Sequence, residues 1–194
     1  MKLNLDITTA SSSEWLATVL NDFDTFLQDH ADCERKASAM AMSFIAKYPD
    51  RVDIIPELIE TALEELEHFQ QVYDLMTSRK VQLPQSMAKD PYLAALLPYC
   101  RNGREERFLD RLLIASVAET RGAERFRLIA ENINDEQLAK FYKTLWTSEA
   151  KHGHLFVKMA LNYFDETEVY KRLAALISIE GSIINTLELR PALH

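Results

Sequence analysis

Two Glu-x-x-His pairs, Glu149-Ala150-Lys151-His152 and Glu65-Leu66-Glu67-His68, lie inside long runs with helical periodicity. Three residues of α-helix turn the chain by about 300°, so each glutamate lies above or below its histidine on one face. Such a pair can bind a single metal ion. A lone glutamate precedes each pair at nearly the same distance: Glu34 stands 31 residues before Glu65, and Glu119 stands 30 before Glu149. Two glutamates from two helices and a Glu-x-x-His pair from each of two others make a ligand set for two metal ions in a bundle core. One such pair arises readily by chance in an acidic helical chain. Two copies, each trailing a glutamate, form a far more specific signal.

The physical chemistry of these positions points the same way. An isolated buried carboxylate costs roughly several kcal/mol or is driven to protonate. Four of them turned toward a common axis would repel one another strongly, and two cations remove that repulsion. Carboxylate oxygens mixed with imidazole nitrogens suit iron or manganese better than a thiolate-preferring metal. Other readings remain open residue by residue. Glu34 equally fits a solvated face with Asp32, Arg35 and Lys36, while Glu64 and Glu67 are expected to face solvent. Glu124 rivals Glu119 and could pair with Arg121 or Arg125; His154 points about 200° from His152 and reads as a surface residue.

Long helices must position these ligands. Ser11-Ser12-Ser13-Glu14 reads as a capping box, with Ser11 as N-cap, opening a short helix. A helix is expected from about Asn21 to Lys47, with Leu20, Phe23, Leu27, Ala31, Glu34, Ala37, Ala41 and Phe44 on one face, stopped at Tyr48-Pro49. The next runs from about Val52 to Arg79, burying Leu58, Ala62, Glu65, Phe69, Val72 and Met76. Residues 80–90 read as a crossover, followed by a short helix from Pro91 to Tyr99. A third long helix spans about Arg104 to Glu131, and a fourth runs from the Asn134-Asp135 break to about Phe164. A last helix starts at Asp165-Glu166, reaches toward Thr186 and packs outside the bundle; the tail from Leu189 to His194 is expected to fray. The fold expected is all-α, a four-helix bundle with a long crossover and additional short helices, in one domain over residues 1–194.

Composition bounds the rest. The chain has 194 residues, enough for one substantial core, and only four glycines and six prolines, which favours long helices. Its net charge of -8 weighs mildly against a protein devoted to holding nucleic-acid backbone. Cys33 and Cys100 have no paired spacing, so neither a zinc site nor a disulfide framework is suggested. Met1 to Asp6 lacks the apolar core of a signal peptide, and no apolar run approaches about 18 residues, so a cytoplasmic protein without membrane contact is expected.

Four segments carry a family resemblance: Glu-Arg-Lys-Ala-Ser at 34–38, Glu-Glu-Leu-Glu-His-Phe at 64–69, Ala-Glu-Thr-Arg-Gly-Ala-Glu-Arg-Phe at 118–126, and Ser-Glu-Ala-Lys-His-Gly-His at 148–154. Over most of its length the chain resembles the ferritin-like tRNA hydroxylases that act on 2-methylthio-N6-isopentenyladenosine beside the anticodon. The ligand positions fit any ferritin-like protein; the arginine-rich third segment points to this family. The resemblance implies two iron ions held by Glu34, Glu65, His68, Glu119, Glu149 and His152. It also implies O2-dependent hydroxylation of the isopentenyl side chain, with electrons from an external donor. No flavin or iron–sulfur motif is visible, so a separate reductase is expected as a partner beside the tRNA anticodon loop.

Between Arg101 and Arg127 stand seven arginines against five acidic residues, a net +2 in an acidic chain. Arg101, Arg104 and Arg107 are the candidate RNA contacts, since arginine suits phosphate. The same spacings also describe an ordinary charged helix surface with Glu partners. The principal competing function is a ferritin-like protein handling peroxide or iron without a nucleic-acid substrate. A rubrerythrin-type peroxidase is disfavoured by the lack of Cys-x-x-Cys pairs, and manganese catalase remains compatible by ligand type. A metal-free helical module would bind no stoichiometric metal and tolerate Glu149→Ala. Oligomeric state is left open.

Overall fold

The computed structural model describes residues 7–86 and 89–194. The expectation for Met1 to Asp6, and the part of the crossover at Met87 and Ala88, lie outside the described residues. Among them there is no strand. The order is α1 (Ser13–Asn21), α2 (Phe23–Lys47), a 3-10 turn (Val52–Ile54), α3 (Ile55–Ser78), α4 (Pro91–Leu96), a second 3-10 turn (Leu97–Tyr99), α5 (Arg104–Asn132), α6 (Glu136–Leu161) and α7 (Glu166–Ile184). The described residues divide into two compact units: residues 17–86 with 190–193, built on the α2–α3 pair, and residues 7–16 with 89–189 and 194, built on the α5–α6 pair. No helix among the described residues is long and apolar enough to cross a membrane.

Local chemistry sets the helix ends. Asp22, Asp90, Asp135 and Asp165 each accept hydrogen bonds from the first free backbone N–H groups of α2, α4, α6 and α7. Pro56 sits in the first turn of α3, where its missing N–H costs nothing. That helix ends with Lys80 at φ 61, a left-handed conformation, while Val81 N–H reaches back to the Met76 carbonyl at 2.9 Å. The cap of α1 differs from expectation. Ser12, not Ser11, accepts from Trp15 N–H at 3.1 Å, because the Ser11 hydroxyl is engaged by Glu124 at 2.7 Å.

In the α2–α3 unit the centre of the expected stripes is buried, Leu27, Ala31, Ala41 and Phe44 on α2 and Leu58, Ala62, Val72 and Met76 on α3, whereas Leu20, Phe23, Ala37 and Phe69 are only half-buried. The Ser38 hydroxyl donates to the Ala62 carbonyl at 2.8 Å, locking the pair near its middle. The tail is not frayed. Ala192 and Leu193 are buried, and Leu193 N–H donates to Asp29 at 2.7 Å, so two apolar side chains leave water and a buried backbone donor is satisfied.

In the α5–α6 unit, Phe108, Leu112, Ala115, Ala123 and Phe126 of α5 are buried, as are Leu138, Leu145 and Phe156 of α6. Helix α7 is held by charge as well as by apolar contact. Arg121 on α5 is fully buried and makes two bonds to Glu180 on α7, at 2.7 and 2.9 Å. The Tyr92 hydroxyl donates to the same carboxylate at 3.3 Å, and burial, followed by the Glu180 charge, pushes its pKa well up. Arg121 also donates to the Thr9 carbonyl at 2.7 Å. Its neighbour Arg125 stacks 4.4 Å over the Trp15 ring and donates to the Ser11 hydroxyl. Burial, then the Arg121 charge, pushes Arg125 down to about 10.

Candidate metal centre

Each unit presents one Glu–Glu–His triad. In the α2–α3 unit, Glu34 comes from α2, and Glu65 and His68 from α3; all three are buried. His68 Nδ1 lies 3.6 Å from Glu65 Oε2 and 3.9 Å from Glu34 Oε2. In the α5–α6 unit, Glu119 comes from α5, and Glu149 and His152 from α6, with His152 Nδ1 3.5 Å from Glu149 Oε2. Glu149 and His152 are buried, and Glu119 is half-buried. Within each triad the donor atoms lie within 4.8 Å of one another.

These separations test whether the residues suit a metal. Nitrogen and oxygen ligands at about 2.0–2.2 Å from one ion stand roughly 3–4 Å apart, mostly beyond ordinary hydrogen-bonding distance. The histidine–glutamate separations fall in that interval. Charge agrees as well. Four carboxylates and two neutral imidazoles balance two divalent cations, which offset the desolvation that burial imposes on the carboxylates. The donor set fits two iron or manganese ions.

The alternatives resolve by position. Asp32 takes Arg35, at 2.6 Å, and Lys36, so the charged face of α2 is distinct from the Glu34 face. Glu64, Glu67 and His154 are exposed. Glu124 is held by Ser11 and Arg121, which leaves Glu119 as the α5 carboxylate beside Glu149 and His152. Arg121 and Arg125 are not the charged helix surface that their spacing suggests; both are buried, anchoring the segment around Ser11. Arg101 is half-exposed and committed to Asp110, its backbone N–H at 2.8 Å and its guanidinium at 2.9 Å. Arg104 and Arg107 are exposed at the start of α5.

Two contributors were missed in the sequence. His30, one turn before Glu34 and fully buried, places Nε2 2.6 Å from Glu34 Oε1. The i,i+4 spacing carried that information, since it puts His30 on the Glu34 face. Gly153 is the other. A Cβ there would meet Thr120 Oγ1 at 2.7 Å and the Ser116 carbonyl at 3.3 Å, so its bare backbone lets α5 approach α6 beside Glu119 and His152.

Comparison with known proteins decides the family. The model of the tRNA-(MS[2]IO[6]A)-hydroxylase (MiaE) family matches residues 3–194. The chain belongs to that family. It is 34% identical over 172 residues to the tRNA 2-(methylsulfanyl)-N(6)-isopentenyladenosine(37) hydroxylase of Pseudomonas putida, covering 89% of this chain and 83% of that one. To the enzyme of the same name from Salmonella typhimurium it is 29% identical over 131 residues, 68% of this chain and 47% of that one. A solved structure, Protein 43 with aldehyde deformylating oxygenase activity from Synechococcus, matches with a TM-score of 0.90 at 32% identity, over 95% of this chain and 92% of that one. The fold is all-α and ferritin-like, and the chain is an oxygenase.

Proposed function

We propose that this MiaE-family chain hydroxylates the isopentenyl side chain of 2-methylthio-N6-isopentenyladenosine next to the anticodon of tRNA. The observation that carries the reading is the repeated Glu–Glu–His triad in a chain matched by that family over residues 3–194. Glu34, Glu65 and His68 would hold one iron, and Glu119, Glu149 and His152 the other. With O2 and two electrons from an external donor, the iron pair supplies the oxidising power that acid–base groups lack for an unactivated C–H bond. The balance is R–H plus O2, two electrons and two protons, giving R–OH and water. The electrons would come from a separate reductase, and a tRNA substrate implies a cytoplasmic protein.

The chain's own residues hold and shield. His30 fixes one oxygen of Glu34 and leaves the other facing His68. Buried Leu58, Ala62, Val72, Ala115 and Phe156 make the helices carrying the triads dry and apolar, which strengthens every charge interaction there. Arg104 and Arg107, exposed on α5, and the half-exposed Arg101 are the proposed contacts to RNA near the modified nucleoside.

The test is an assay on tRNA from cells lacking this protein, supplied with ferrous iron, O2 and a reductant, then digested for mass spectrometry. A gain of one oxygen on the isopentenylated nucleoside, lost in Glu149→Ala, is expected. No gain with two irons per chain would move the function to peroxide or iron handling. Consumption of an aldehyde in a parallel reaction would favour the activity named for the Synechococcus protein instead.

A further inference from the structure

Helix α6 carries the triad residues Glu149 and His152 on one side and a different pattern on the other. From residue 137 to residue 164 the only acidic residue is Glu149, which is buried. The same stretch holds Lys140, Lys143, Lys151 and Lys158, and all four, with His154, are exposed. At about 100° per residue, Lys140, Lys151, His154 and Lys158 fall within a wedge of roughly 60°, with Lys143 just beside it. At about 1.5 Å per residue the row from Lys140 to Lys158 is roughly 27 Å long. Acidic residues close it at both ends, Asp135-Glu136 and Asp165-Glu166.

Several cations elsewhere on the surface are neutralised: Arg79 by Asp24, Arg127 by Glu131, Arg35 and Lys36 by Asp32. None of the four α6 lysines has an ion pair among the described residues. An unneutralised row of cations on a chain of net charge -8 is a local field of opposite sign to the rest of the molecule. Such a field draws a polyanion to one face and repels it from the others. Phe108 packs on Tyr163 and Phe164 just past the end of α6, so the exposed Arg107 stands at the Lys158 end of the same helix pair.

We propose that the outer face of α6, Lys140, Lys143, Lys151, His154 and Lys158, seats the phosphate backbone of the tRNA. The proposal rests on the tRNA reading above and assigns a surface to it. Glu149 lies half a turn away from Lys140 and Lys158, across a helix about 10 Å thick. The row therefore holds the RNA flanking the modified nucleoside, not the reacting base. Lysine is suited to this, because a flexible point charge follows a phosphate chain without reading bases.

The test compares the wild-type protein with K140Q/K143Q/K151Q/K158Q and with a control, R79Q/R127Q, that removes two paired cations. Binding of isopentenylated tRNA is measured by fluorescence anisotropy between about 50 and 200 mM salt, with turnover on the same RNA. The quadruple variant is expected to keep its iron content and circular dichroism spectrum. Its Kd and KM should rise at least tenfold, and its slope of log Kd against log salt should fall by roughly 3, since each phosphate contact carries about 0.7–0.9 of slope. The control should match wild type. An unchanged Kd and slope in the quadruple variant, while wild type hydroxylates tRNA, overturns the α6 seat and leaves the function standing. Wild type that neither binds nor modifies tRNA removes the tRNA reading itself. A variant with normal tRNA binding but a raised KM for the reductase would give the row to an acidic protein, and also overturns the proposal.

Discussion

The Nε2 atom of His30 stands 2.6 Å from Oε1 of Glu34, one turn along α2, with both side chains buried. The two oxygens of Glu34 are thereby given different tasks, one held by His30 and the other 3.9 Å from His68 Nδ1. Partners that orient a ligand in this way typically contribute about 10–100-fold in metal affinity. His30→Ala is expected to weaken iron binding by that order in competition with a chelator, with the helical circular dichroism signal retained. His30→Gln, which keeps a donor, should recover part of the loss. Equal affinity in wild type and His30→Ala would show that Glu34 is positioned without His30.

The Arg121–Glu180 pair is fully buried and joins α5 to α7 through two bonds. Removing one member leaves a buried charge uncompensated, at a cost of about 3–5 kcal/mol. Glu180→Leu is therefore expected to lower the urea midpoint sharply. Arg121→Met with Glu180→Leu together should cost less than the sum of the two single changes, since the second removes the charge that the first strands. Additive effects would mean that Arg121 acts chiefly through its bond to the Thr9 carbonyl.

Lys80 closes α3 at φ 61, where a side chain is disfavoured by roughly 1–2 kcal/mol and glycine is not. Part of that gain is offset by the greater freedom of glycine in the unfolded chain. Lys80→Gly should raise stability by up to about 1 kcal/mol, read as a higher midpoint at unchanged slope in urea. A lower midpoint would show that the lysine side chain holds the end of α3.

Periodicity and caps made the helices legible, because both are local: Asp135 and Asp165 announce α6 and α7, and Pro49 marks the end of α2. The triads were legible because their spacing repeats. What escaped was pairing between distant segments. Ser11 reads as a cap from its neighbours alone, yet Glu124, 113 residues away, claims its hydroxyl. Arg121 and Arg125 have the spacing of a solvated helix face, and only Glu180, Trp15 and the segment around Ser11 make them interior. The tail ends in a proline-containing segment that local reasoning sends into solvent, while Asp29, 164 residues earlier, accepts from Leu193 N–H. The lysine row of α6 was within reach of the sequence, but a count of net charge averages it away.

Asp110 is buried, and desolvation alone would raise its pKa. Hydrogen bonds from Arg172 and from the side chain and backbone of Arg101 outweigh that effect and hold it below the usual value. A carboxylate lowered on folding contributes stability above its unfolded pKa, and that stability is lost as pH falls through the folded value. The contribution of Asp110 is therefore expected to be complete above about pH 4 and to disappear at lower pH. Asp110→Asn should lower the thermal midpoint at pH 7, and the gap between variant and wild type should narrow on acidification below about pH 4. A gap that stays constant down to about pH 2 would remove the charge argument.

Each triad contains a single imidazole, His68 in one unit and His152 in the other. A histidine supplies one nitrogen to one ion. Losing a histidine should therefore weaken one ion selectively. His68→Ala and His152→Ala are each expected to reduce bound iron from about two per chain to about one after desalting, and the double variant to well below one. The helical signal should persist in all three, because the imidazoles contribute little apolar packing. Glu65→Ala, by contrast, removes a fully buried carboxylate and should lower iron content at least as far as either histidine change. Complete loss of iron from a single histidine variant would show that the two ions bind as one cooperative unit, and the independence of the triads would have to be given up.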